Sequence, residues 1–110
     1  MAYGEAIAAL ADPTRRTVFE RLRAGPRPVV EIARGLPVSR PAVSQHLRVL
    51  KDAGLVRERR AGTRNFYSVN GDGLSELREY FEEFWDEALA AFKQAAEGDK
   101  KGEPDESGDE

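Results

Sequence analysis

The stretch from Ser39 to Leu50, SRPAVSQHLRVL, decides the fold. In a helix successive residues turn by about 100°, which puts Val43, Leu47 and Leu50 on one side and Arg40, Ser44, Gln45 and Arg48 on the other. Ser39 is a natural N-cap, Pro41 falls where backbone amides have no intrahelical partner, and Gly54 supplies the stop. Just upstream, VVEIARGL predicts a short helix ending near Gly35 and Pro37, and only a few residues separate the two helices. A short helix, a tight turn and a second helix with a polar outer face make a helix-turn-helix.

Downstream, LVRERRAGTRNFYSV offers two strand-like segments, 55–60 and 65–69, around a turn containing Gly62. This hairpin is poor in apolar residues and basic along its arm and tip. It is expected to project into solvent as a wing rather than to close a core, with Arg59, Arg60 and Arg64 meeting phosphates or a minor groove. Upstream, residues 3–11 predict a short helix. Asp12 and Pro13 then open a second helix running through Ala24, striped by Val18, Phe19 and Leu22 and stopped by Gly25. The predicted class is therefore mainly α with a small β-hairpin.

From Asp72 to about Glu97 a long helix is predicted, apolar at positions 74, 77, 81, 84, 88 and 92, with Tyr80, Trp85 and Leu89 added. That stripe is too wide and too aromatic for a helix lying alone on a small domain. It is expected to bury a second chain through Leu77, Phe81, Phe84, Trp85, Ala88 and Phe92. The opposite face is acidic, through Glu76, Glu79, Glu82, Glu83, Asp86 and Glu87. The last stretch, GDKKGEPDESGDE, has no apolar residue and is expected to be disordered. The expected organisation is one domain over 1–97 and an acidic tail over 98–110.

A chain of 110 residues suffices for one modest core. The net charge of −3 conceals a division: residues 1–70 carry 13 Lys and Arg against 6 Asp and Glu, and residues 71–110 carry 4 against 14. A body at +7 followed by an end at −10 suggests a surface for a polyanion on the first part. There is no cysteine, which excludes disulfides, thiolate metal sites and cysteine nucleophiles. The N-terminus has too short an apolar run, with Glu5 inside it, to be a signal peptide or membrane span. A cytoplasmic protein with no membrane association is the expectation.

The polar half of the first stretch has a chemical match. A major groove admits one helix, and base edges offer donors and acceptors that Arg, Gln and Ser can pair. Arg40, Ser44, Gln45, Arg48 and Lys51 hold that face. His46, the lone histidine, lies on the margin of the apolar arc beside Ala42, Val49 and Ala53. It is expected to pack there with one ring nitrogen reaching a backbone carbonyl or a phosphate. A metal site needs further ligands, and none is near in sequence. Nothing calls for a cofactor. An enzyme is disfavoured as well: no serine or carboxylate is placed to work with His46, and no glycine-rich phosphate loop occurs. A winged helix that binds protein instead of DNA is the rival, although it would not need arginines on both the helix face and the wing.

The segments ALADPTRRTVFERL (9–22), VSRPAVSQHLRVLKDAGLVRERRAGTRNFYSV (38–69) and FWDEALAAFK (84–93) together resemble the ArsR family of bacterial winged helix-turn-helix repressors, over about residues 3–95. The resemblance implies a homodimer that binds a pseudo-palindromic DNA operator and represses transcription. It implies a fourth helix in the major groove, wings on the flanking backbone and terminal helices at the dimer interface. By position it gives Ser39, Arg40, Ser44, Gln45 and His46 as DNA-binding residues, beside Arg48 on the same helix. Metal-sensing members carry cysteine clusters before the turn, or carboxylate and histidine ligands on the last helix. Here VVEIARGL stands at the first place and no histidine at the second, so the chain is more similar to the metal-independent members. A regulator that senses a small ligand or a metal is the alternative, and the residues identify no inducer.

Overall fold

The computed structural model describes residues 2–102, with side chains from 4 to 98. In chain order the elements are α1 (Ala2–Ala11), α2 (Pro13–Glu20), β1 (Arg27–Pro28), α3 (Val29–Ala33), α4 (Arg40–Asp52), β2 (Val56–Ala61), β3 (Arg64–Val69) and α5 (Gly71–Gly102). The chain divides after Arg78 into two compact units. Among the described residues no helix is long and apolar enough to cross a membrane.

The first unit is built around a core drawn from every helix. Ala6 and Ala9 of α1, Val18 of α2, Leu22 just past it, Ile32 of α3, Val43, Leu47 and Leu50 of α4, then Ala53, Leu55, Val56 and Leu77 are all buried. Two caps set its geometry. Asp12 opens α2 by accepting from the amides of Thr14 and Arg15 at 2.9 and 3.1 Å, and these amides, Arg15's first, hold its carboxyl below the usual aspartate value. Ser39 opens α4 by accepting from the Ala42 amide at 3.2 Å. Helix α2 stops at Glu20, four residues short of the expected end. Arg21 turns its guanidinium onto the carbonyls of Ile32 and Arg34, tying the end of α2 to the end of α3.

The end of α4 joins the helix-turn-helix to the wing. Gly54 takes φ +83; its amide donates to the Lys51 carbonyl and the Leu55 amide to the Leu50 carbonyl, both at 3.0 Å. This is a Schellman stop, closed by two leucines that are fully buried. Chain leaving it enters a three-stranded antiparallel sheet of order β1-β3-β2. The expectation that the hairpin stands clear of the core is corrected at its base. Val56 is buried, Tyr67 and Val69 pack against the core, and β1 pairs with β3 through Arg27 opposite Tyr67 and Pro28 opposite Phe66. Only the far end, from Arg57 to Asn65, is exposed throughout.

Helix α5 begins one residue earlier than expected and continues through 98–102, past the boundary drawn from composition. Residues 103–110 of the expected tail lie outside the described residues. Its first turns belong to the first unit. There the Asn70 side-chain amide donates to the Gly54 carbonyl at 2.9 Å, and Arg57 donates to Asn70 and to Asp72 at 3.0 and 3.3 Å. Leu77, grouped by its spacing with the stripe expected between chains, is buried in this unit's own core. The second unit is the remainder of α5, where Phe81, Phe84, Trp85, Leu89 and Phe92 are exposed. These five fall on one face of the helix, with Tyr80 edge-on to Phe81 at 5.3 Å.

Candidate nucleic-acid interface

Three residues with no exposed surface, Val43, Leu47 and Leu50, fix the rotation of α4 about its axis. Arg40, Ser44, Gln45 and Arg48 are in consequence exposed, as their spacing predicts. Two clefts flank this face. One, of about 410 Å³, is lined by Pro41, Ser44, Gln45, Arg48, Lys51, Glu58 and Tyr67. The other, of about 320 Å³, brings Arg40 and Ser44 together with Thr63, Arg64, Asn65 and Tyr67 at the wing. Ser44 and Tyr67 line both. Ser39 is exposed at the head of the helix with its hydroxyl oxygen engaged in the cap.

The strand register separates the wing arginines. In an antiparallel pair, residues opposite one another point to the same face and alternate along the strand. Glu58 lies opposite Tyr67 and Arg60 opposite Asn65, on the face that meets α4; Arg59 lies opposite Phe66 on the other face. Arg64 shares the Arg59 face, its guanidinium 5.7 Å from the centre of the Phe66 ring, a cation–π distance. Arg59 and Arg60 therefore point in opposite directions. Arg57 also faces away from α4, toward Asn70 and Asp72.

His46 is half-buried on the inner flank of α4. Its Nδ1 is buried and, among the described residues, has no hydrogen-bond partner. The ring is close enough to Asp12 to add to the lowering of that carboxyl. Among the described residues no group of three or more His, Cys, Asp or Glu side chains could hold a metal ion.

Sequence reasoning passed over the residues that tie helix to wing. Lys51 Nζ donates to Glu58 Oε1 at 3.0 Å and the Tyr67 hydroxyl donates to Oε2 at 3.2 Å. The hydrogen bond from Lys51 is the main reason the Glu58 carboxyl titrates below its usual value, with Lys51's charge and the Tyr67 hydroxyl adding to it. Burial, then the Glu58 charge, raises Tyr67. Partners seven and nine residues apart on a helix and two strands become neighbours only through the register. No spacing rule could have found them.

Comparison with known proteins agrees with this geometry. Residues 10–59 match the model of a helix-turn-helix domain. Over 93 residues the chain is 56% identical to the HTH-type transcriptional regulator Rv2034 of Mycobacterium tuberculosis, covering 83% of this chain and 87% of that one. The transcriptional repressor SdpR of Bacillus subtilis is 37% identical over 62 residues, 56% of this chain and 69% of its own length. The solution structure of the homodimeric winged helix-turn-helix DNA-binding domain of Mb0332 from Mycobacterium bovis, a possible ArsR-family transcriptional regulator, superposes with a TM-score of 0.63 at 32% identity. That match covers 80% of this chain and 82% of the other. The homologues are transcriptional regulators, and no enzymatic family is indicated. A helix-turn-helix with a basic wing, on a chain so similar to these regulators, identifies the protein as a member of the ArsR/SmtB family of winged helix-turn-helix transcriptional regulators.

Proposed function

We propose that the protein is a sequence-specific repressor that binds a pseudo-palindromic operator as a homodimer and does so without a metal. The observation that carries this reading is the exposed polar face of α4, where Arg40, Ser44, Gln45 and Arg48 line clefts shared with the wing. Those side chains suit base edges in a major groove, while Arg60 and Arg64 suit phosphates on either side of it. His46, half-buried, supports the seating of α4 more than it reads DNA. The second copy is met through Phe81, Phe84, Trp85, Ala88 and Phe92. Five large apolar residues exposed on one side of α5, four of them aromatic, exceed what a lone helix leaves to water, and the Mb0332 domain is homodimeric. A repressing role follows the similarity to SdpR. Metal independence follows from a chain with no cysteine and one histidine.

Selection of bound duplexes from a random pool, at stated salt, tests the reading. The expected product is a symmetric site with half-sites about one helical turn, or a multiple of it, apart. Zinc, cadmium, arsenite or a chelator, added to the selected complex, should leave its binding curve in place. Recovery of no symmetric site, with no preference over random duplex, overturns the repressor assignment. A stoichiometric metal that releases DNA overturns the metal independence alone.

A further inference from the structure

Glu58 is the one carboxylate among the residues lining the two clefts beside α4; the others there are neutral or cationic. It is held at the mouth of the cleft: its side chain is 26% exposed against 50% for Lys51, and both oxygens accept a hydrogen bond. Those bonds favour the charged form and keep the carboxyl ionised at neutral pH. A fixed negative charge facing DNA weakens attraction for phosphates. It also occupies Lys51, the cation on the last turn of α4, which would otherwise be available to one.

These two effects fall unequally on the two kinds of complex. Binding to arbitrary duplex is nearly all phosphate neutralisation, whereas an operator complex adds base contacts that Glu58 does not disturb. In a loose complex the backbone ranges over the mouth of the cleft and meets the carboxylate. In a registered complex the base contacts of α4 would hold each phosphate at one position instead of letting it range over that mouth.

We propose that Glu58 is a specificity-determining residue: its carboxylate, bonded to Lys51 and Tyr67 between α4 and the wing, weakens binding to arbitrary duplex more than binding to the operator. This rests on the DNA-reading role assigned above to α4. Full-length protein is titrated onto the selected operator and onto random duplex of equal length, across a salt series, for wild type, Glu58→Gln, Lys51→Met and the double variant. Glu58→Gln should tighten random duplex about tenfold and the operator about threefold or less, and should steepen the random-duplex salt slope by about 0.9, the increment of one phosphate contact. Lys51→Met should remove that increment in the Glu58→Gln background and change the slope by clearly less in wild type, because there Lys51 is already engaged.

Equal tightening of both duplexes overturns the proposal, since a simple change of net charge acts alike on both. Weakening of both overturns it too, and makes Glu58 a strut. Lys51→Met alone gives a reading whether or not Glu58→Gln folds: loss of a full slope unit in the otherwise wild-type chain means Lys51 already meets a phosphate, and the proposal fails. Wild type that cannot tell operator from random duplex refutes the DNA-reading role and this inference together. Wild type that can, with variants shifting both duplexes equally, refutes this inference only.

Discussion

Replacing Gly73 by alanine should cost more than any other glycine-to-alanine change in the first turns of α5. A Cβ built on Gly73 would stand 1.8 Å from the Gly54 carbonyl oxygen and 2.8 Å from its carbon. Both are backbone atoms, so no side chain can swing aside. Gly54 cannot yield cheaply either, because it holds φ +83 and its amide closes the Schellman stop of α4. Restoring ordinary contact needs a shift of more than an ångström between the start of α5 and the turn leading into β2. Overpacking of this kind costs about 1–3 kcal/mol, offset in part by alanine's better helix propensity of about 0.8–1 kcal/mol. A net loss of up to about 2 kcal/mol is expected, against a gain at Gly71. Gly71 is the internal control: it opens the same helix, nothing lies within 4 Å of its Cβ, and Gly71→Ala should be neutral or stabilising by up to about 1 kcal/mol. Urea unfolding at fixed protein concentration reads both. Equal stability of Gly73→Ala and Gly71→Ala would show that α5 does not approach the Gly54 turn this closely.

Gln45→Ala should weaken the best operator by about 1–3 kcal/mol and relax preference at one position of each half-site, whereas Arg64→Ala should weaken specific and random duplex alike and flatten the salt dependence by about one unit; selection and salt titration on both variants check this, and interchanged outcomes would reverse the roles given to helix and wing. Trp85→Ala should shift sedimentation toward monomer and weaken operator binding, since a dimer gains effective concentration from its second half-site. Because Trp85 is 62% exposed in the protomer, unchanged oligomeric state with lowered stability would instead place the ring against its own chain. The carboxyls of Asp12 and Glu58 titrate below their usual values, so the stability they add is complete above the unfolded values of roughly 4 and is lost as pH falls through the lower folded values. Thermal unfolding from pH 7 to pH 2.5 should show most of its acid loss below about pH 4, and Asp12→Asn, which keeps an accepting cap oxygen, should flatten that loss.

Most of the helix-turn-helix is legible because its signals are local. Ser39, Pro41 and Gly54 mark α4 at both ends, and a period of 3.6 picks out the three residues that end up with no exposed surface. Strands β2 and β3 are legible from the turn at Gly62, which takes φ +66 between two strand-like segments. Strand β1 is two residues long, one of them a proline, so it has no period to detect, and only its partner β3 makes it a strand. Helix α2 ends at Glu20 and the chain runs on to Gly25 in tighter turns, Leu22 bonding to Phe19, Arg23 to Glu20 and Gly25 to Leu22, a change of backbone pattern that the apolar stripe does not reveal. Leu77 shows a further limit. Spacing says that a residue is apolar on one face of α5, but not whether its own core or a second chain will cover it.

Two independent constraints set the distance between the exposed polar face of α4 and the wing. One is covalent: Leu50, Gly54 and Leu55 stop the helix and start the strand within six residues, with both leucines sealed in the core. The other is the polar chain from Lys51 through Glu58 to Tyr67, which crosses the cleft from helix to sheet. An ion pair as exposed as Lys51 and Glu58 contributes about 0–1 kcal/mol, whereas truncating a buried leucine costs about 2–5 kcal/mol. The leucines therefore hold the geometry, and the polar chain is free to vary without loss of the fold. That separation would let the charge proposed to discriminate between DNA sequences be removed while α4 and the wing stay where the core puts them.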